Sequence, residues 1–250
     1  TDQLRIRASG MIMNSAWREG LSADEVAPFA KEALDLSREL RDSVSEVLTL
    51  AVYGRISACT GSADDYVKQV MQAIDLSDTS DPSVRTMLQV FLCQAYGYAG
   101  RLREALQASD MALAHIGDIR KSHEALLGFN VERWVESLRA RLLVRMGSFA
   151  AARTSIAKLT SSEMDHPDPA VQFIPHLAGV ELAWLTQNQE LAEFHCVRID
   201  EIAASSRIPY VAVYAAVCKA LALSLSGNHV IAIQKLEAAI DARDGDAVSA

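Results

Sequence analysis

The chain has 250 residues, of which 50% are apolar and 22% charged, with only 12 glycines and 6 prolines. That composition excludes disorder, supplies a substantial core and favours helices over strands. A net charge of −8 excludes a broad phosphate-tracking surface of the kind nucleic-acid binding needs, leaving at most a local basic patch.

The sequence opens on Thr1, without an initiating methionine or a signal-peptide pattern, as expected for a piece of a longer protein. The first expected helix pair is Leu4 to Glu19 and Ala23 to Leu40, joined by Gly20-Leu21-Ser22, with Ser22 and Glu25 forming a capping box. Leu4, Ile6, Met11, Ile12 and Met13 give its first helix more apolar surface than a dedicated cap carries, so self-association or burial against another chain is expected there. A second pair has Tyr53-Gly54, a turn at Gly61 and a close on Ala73-Ile74. The clearest pair runs from Leu92 through Tyr96-Gly97-Tyr98-Ala99-Gly100 to Ala105 and closes on Ala112-Leu113.

A fourth pair runs through Leu142, Leu143, Met146-Gly147 and Ala152; the fifth has Trp184, Gln187 in place of glycine, then Ala192 and Ile199. The sixth has Leu223, Gly227, Ala232 and Ala239-Ile240. Its last helix, roughly Val230 to Arg243, is amphipathic. The links 75–82 and 161–169 carry turn and N-cap chemistry. Val211 to Leu225, the longest apolar run, is interrupted by Lys219. It is shorter than the ~20 residues of a bilayer span and reads as a core helix.

Gly20, Gly61, Gly100, Gly147, Gln187 and Gly227 mark the turns, at steps of 41, 39, 47, 40 and 40 residues. The spacing and residue types resemble the tetratricopeptide signature, with a period longer than its ~34 residues. Small residues let paired helices approach closely, while large ones fill the gaps between pairs. The expected fold is all-α: a right-handed superhelix of about six antiparallel helix pairs, residues 1–250 forming one array.

Pairs of about 40 residues resemble the sensor arrays of large bacterial signal-transduction ATPases, of the maltose-activator-like regulator and class III nucleotide cyclase types. The stretch Leu127-Gly128-Phe129-Asn130-Val131-Glu132-Arg133-Trp134, with Arg139, Leu142, Leu143, Met146-Gly147 and Ala151-Ala152-Arg153, is similar to a segment of those arrays and covers about one repeat. The sequence contains no GxxxxGK[ST] loop, no paired metal-binding aspartates on a βαβ core and no basic recognition helix. The resemblance implies a cytoplasmic sensor or protein-interaction module, non-catalytic and without a cofactor, that signals to other domains of its parent chain.

The four cysteines lie far apart without a CxxC pair and read as buried free thiols. Glu163, Asp165, His166, Asp168 and His176 are the one local set with metal-ligand chemistry, but Pro167 and Pro169 place most of it in a link, where acids serve as caps. No metal site is expected. His115, His123, His195 and His229 are expected at the surface or at helix ends. Arrays of this kind bind along the face of their first helices, which counting from the turns places near Arg55, Gln94, Tyr98, Trp134, Arg141, Arg145, Glu181 and Tyr214. Arg141 and Arg145, one helical turn apart, repel unless an acid or anion lies between them. The partner expected on this face is a protein or peptide; the alternative is a small anionic metabolite, and the competing structural reading pairs the arginines with Glu136 or with acids of neighbouring helices. Neither nucleic acid nor a membrane is expected as a partner.

Overall fold

A computed structural model describes residues 1–60, 62–77, 81–161 and 168–246, the side chains of 59, 60, 126 and 242–246 excepted. Among the described residues every element is helical. Six lie in the first half of the repeat pattern: α1 (Asp2–Glu19), α2 (Ala23–Glu39), α3 (Ser43–Thr60), α4 (Ala63–Leu76), α5 (Pro82–Tyr98) and α6 (Leu102–Ala114). A 3-10 turn (Ile116–Asp118) and the short α7 (Lys121–Leu127) precede α8 (Val131–Arg145), α9 (Phe149–Thr160), α10 (Pro169–Leu185), α11 (Gln189–Ser206), α12 (Pro209–Leu225) and α13 (His229–Asp246).

The helix starts follow from local chemistry. Ser22 and Glu25 make the capping box reciprocally. Asp81 accepts from the amides of Ser83 and Val84 ahead of Pro82, and Asp168 accepts from Ala170 ahead of Pro169. Proline at the first helical position lacks a donor that would have had no partner. These two caps close the acidic links; the expected turn residues 78–80 and the metal-type residues Glu163, Asp165 and His166 lie outside the described residues.

The helix ends at the expected turn markers share one geometry. Gly20, Gly100, Gly147, Gln187 and Gly227 have φ of 78°, 73°, 77°, 54° and 80°; Gly61 lies outside the described residues. At each of the five, the next residue's N–H reaches back five residues: Leu21 to Ala16, Arg101 to Tyr96, Ser148 to Leu143, Asn188 to Ala183 and Asn228 to Leu223, at 2.8 to 3.0 Å. This is the Schellman closure, which needs the left-handed conformation that glycine adopts without cost. Five residues after the last four of these turns stand Ala105, Ala152, Ala192 and Ala232, all buried. Seven residues later stand Ala112, Leu159, Ile199 and Ala239, also buried.

The chain divides into two compact units, Thr1–Val135 and Glu136–Ala250, with the boundary inside α8. In the first, α1 packs on α2, α3 on α4 and α5 on α6, and the first helices α1, α3 and α5 touch in sequence. In the second, α10 packs on α11 and α12 on α13, and α10 also packs on α9 and α12. Both α5 and α10 are buried over most of their circumference. The 47-residue step holds α7, which departs from the pair pattern and packs against α1.

Candidate functional site

The expected site residues fall in both units. Six residues before each turn marker stand Asn14, Arg55, Gln94, Arg141, Glu181 and Leu221. Within each unit two of these residues meet across 40 or 41 positions, whereas Gln94 pairs elsewhere. Arg55 Nη2 donates to Asn14 Oδ1 at 3.1 Å, 41 residues away. Arg141 donates to Glu181, 40 residues away.

In the first unit, Arg55 and Trp134 are buried, at 1% and 2% exposure. The Arg55 guanidinium lies 5.0 Å from the Trp17 ring and 5.7 Å from the Phe129 ring. Trp134 packs 5.7 Å from Trp17 and 4.8 Å from Phe129. Both expected site residues thus belong to an aromatic cluster inside this unit, where stacking and cation–π attraction offset the desolvation of the charge. Gln94 is buried as well: Tyr66 donates to its Oε1 at 3.2 Å and its Nε2 donates to the Tyr98 hydroxyl at 3.3 Å.

In the second unit, Arg141, Arg145, Glu181 and Tyr214 come together. Arg141 donates to Glu181 Oε1 through Nε and Nη2, at 2.9 and 2.7 Å. Arg145 donates to Oε1 at 3.0 Å and to Oε2 at 3.4 Å. The side chains of Arg141 and Glu181 are each 16% exposed, and that of Arg145 is 36% exposed. The Arg141 guanidinium stands 5.8 Å from the Tyr214 ring, which leans against Tyr210 and Phe173. Burial alone pushes the Glu181 carboxyl up, but the Arg141 charge and hydrogen bonds from both arginines outweigh it and hold it below the usual range. Burial likewise opposes the charge on Arg141 and is outweighed by Glu181, which raises that guanidinium above its ordinary value. The triad therefore stays ionised with a net charge of +1, and the Nη1 groups of both arginines donate to none of the described residues.

Sequence reasoning missed Asn14, Trp17 and Phe129, whose signal is the register position for Asn14 and aromatic spacing for the others. It also misplaced one histidine: His195 is buried in the middle of α11, whereas His123 stands in the first turn of α7, at a helix end as expected though buried. His123 Nδ1 lies 2.8 Å from Ser83 Oγ, and His195 Nδ1 lies 3.0 Å from His176 Nδ1, so one imidazole donates and the other accepts. Burial lowers the His195 pKa to about 4. Asp168 is a helix cap and His176 a partner of His195, so these two members of the metal-type set have other work. Among the described residues no group of three or more His, Cys, Asp or Glu is placed to hold a metal.

Cys93, Cys196 and Cys218 are buried free thiols; burial pushes Cys93 up to about 12 and Cys196 up to about 11. Cys59 lies outside the described side chains. Of the five apolar residues on α1, Ile6 and Met13 are buried while Leu4, Met11 and Ile12 face solvent. A depression of about 490 Å³ on α6, between Arg103, Leu106, Asp110 and Met111, contains none of the eight expected site residues. No described helix is long and apolar enough to cross a membrane. Compared with protein-family models and with curated proteins, the chain matches none.

Proposed function

We propose that this chain is a non-catalytic, cytoplasmic helical-repeat module: six tetratricopeptide-like pairs wound as one right-handed superhelix over residues 1–250. In this reading it serves as the interaction or sensor part of a signalling or transcription regulator. The five matching Schellman turns and the four matching alanines support a repeat architecture. The observation that carries the binding reading is the Arg141–Glu181–Arg145 triad, which holds one excess positive charge beside the tyrosine wall, with Arg145 open to solvent. A surface of that kind takes an acidic side chain or terminal carboxylate of a protein or peptide partner, arginine offering a planar fork to the carboxylate.

Fluorescence polarisation with a labelled octaglutamate peptide tests it. Binding is expected at low salt, weakened by added salt and lost in Arg145→Glu; equal binding by that variant overturns the assignment. A second reading, a small anionic metabolite, is favoured by the Phe173, Tyr210 and Tyr214 rings standing beside Arg141. Citrate displacing the peptide at equal carboxylate concentration would favour that ligand class. The exposed Leu4, Met11 and Ile12 on α1 support self-association. Sedimentation that stays monomeric at micromolar concentration, with Ile12→Ser unchanged, would remove it.

A further inference from the structure

The 47-residue step between Gly100 and Gly147 exceeds the other steps, of 39 to 41, by about one short helix, and α7 is seven residues long. It ends at Gly128, before α8 begins, and packs against α1, more than a hundred residues earlier in the chain. Leu127 and Phe129, at its end, are buried at 1% and 6% exposure.

Its attachment to the start of α5 is polar and compact. The Asp81 carboxylate that caps α5 also forms an ion pair with Arg120. Ser83 Oγ accepts from the Arg120 amide at 3.0 Å and makes a second hydrogen bond, at 2.8 Å, with His123 Nδ1. At the other end, Gly128 terminates α7 in the left-handed conformation, φ 70°, and Phe129 turns in against the Arg55 guanidinium. Register shows what this does. Arg141 and Glu181 are partly accessible in the second unit, whereas Asn14 and Arg55, at the same repeat position, are buried in the first.

We propose that residues 116–131 are a built-in occupant of the first-helix face of the first unit. That face is a peptide-binding surface, closed in cis by the chain's own insert. The occupant that replaces the insert has its chemistry: a short helix with a basic group at its start for Asp81, and an aromatic side chain at its end for the Arg55 guanidinium. The aromatic preference follows from the Arg55 guanidinium, 5.0 Å from the Trp17 ring and 5.7 Å from the Phe129 ring, where a ring replacing that of Phe129 keeps the second cation–π contact. A helix lying on a face of this kind is a recurring recognition mode. This inference is independent of the triad in the second unit, and neither stands or falls with the other.

The test uses the full chain and a fluorescein-labelled peptide of residues 116–131. Ser83→Ala removes both hydrogen bonds to the insert, and Arg120→Gln removes the ion pair while touching only surface charge. The intact chain is expected to bind the peptide weakly, because the cis insert competes at high effective concentration. Each variant is expected to bind it tighter, the double variant by about tenfold or more, as the closed population falls. A peptide carrying Phe129→Ala is expected to lose that binding. Amide exchange over 121–131 should accelerate in the variants while α1 and α5 keep their protection. Equal peptide binding by the intact chain and Arg120→Gln, or accelerated exchange of the insert with no peptide binding, overturns the proposal.

Discussion

At the scale of single residues, the buried polar groups decide more than the exposed ones. Glu181 answers two arginines, so Glu181→Ala leaves Arg141 desolvated without a counter-charge. An intact buried pair broken this way costs several kcal/mol; allowing for the partial exposure of this one, a loss of roughly 2–3 kcal/mol is expected in thermal or urea unfolding. Replacing Arg141 and Glu181 together by methionine is expected to cost much less, since no orphan charge remains. The pH dependence has one sign for both titrating groups of this unit. The Glu181 pKa is lowered on folding, so its contribution is present above its ordinary value and lost as pH falls through the lower one. The His195 pKa falls from 6.5 to about 4 because burial disfavours the imidazolium. The unfolded chain then binds the proton first, and stability drops between those values, by about 3 kcal/mol at pH 4. His195→Gln should flatten that part of the profile; an unchanged slope between pH 6.5 and 4 would remove His195 as its source. Close approach is equally local: a β-carbon added at Gly179 would fall within the His195 imidazole. Gly179→Ala is expected to destabilise by ~1–3 kcal/mol through overpacking. His195→Ala in the same chain should recover part of the loss, a coupling that a double-mutant cycle measures.

At the scale of elements, the turn and the alanine five residues after it form one device. The Schellman closure sets the angle at which the second helix leaves, and the small residue lets that helix lie close to the first. Ala105 and Ala152 are fully buried at equivalent positions. Ala105→Leu and Ala152→Leu are each expected to cost ~1–3 kcal/mol, and unchanged melting temperatures in both would refute the register. Among the five turn markers Gln187 alone holds the left-handed conformation without being glycine, at φ 54°, as Arg41 and Arg207 do at other helix ends, and its side chain donates to the Trp184 carbonyl at 2.9 Å. Left-handed backbone costs a residue with a β-carbon roughly 1–2 kcal/mol, partly offset by that hydrogen bond and by the greater unfolded-state freedom of glycine. Gln187→Gly is therefore expected to stabilise the chain by about 0.5 kcal/mol, seen as a small rise in melting temperature. A fall would mean that the side-chain bond, not the backbone, sets the turn.

At the scale of the whole chain, legibility followed how local each cause is. Ser22 with Glu25, Asp81 with Pro82 and Asp168 with Pro169 are readable because a cap involves residues two or three apart. The turns were readable because five left-handed positions recur near a 40-residue spacing, Gln187 included. The pairing of Arg141 with Glu181 was within reach of the same period, since equal register places them side by side, and acidic residues of neighbouring helices were the competing reading of the arginine pair. What stayed hidden was non-local. Nothing near Arg55 in sequence says that Phe129 will cover it, and nothing near His195 places His176 against it. The insert was invisible for the same reason: a 47-residue step shows that extra chain exists, not where it docks. That locality also predicts how damage spreads. Apart from the insert, helices in each unit touch chiefly their sequence neighbours, so, if the proposed repeat architecture holds, stability is expected to approximate a sum of helix-pair and nearest-neighbour terms. Glu181→Ala should therefore raise amide exchange in α10, α11 and α12, which surround the lesion, and leave α1 to α5 at their original protection. With Trp184 of α10 replaced by phenylalanine, the fluorescence of Trp17 and Trp134, both buried in the first unit, should change little at temperatures where the variant's second unit has begun to lose helix. Exchange that accelerates uniformly from α1 to α12 would instead mean that the chain opens as one cooperative body, and that the nearest-neighbour description fails for it.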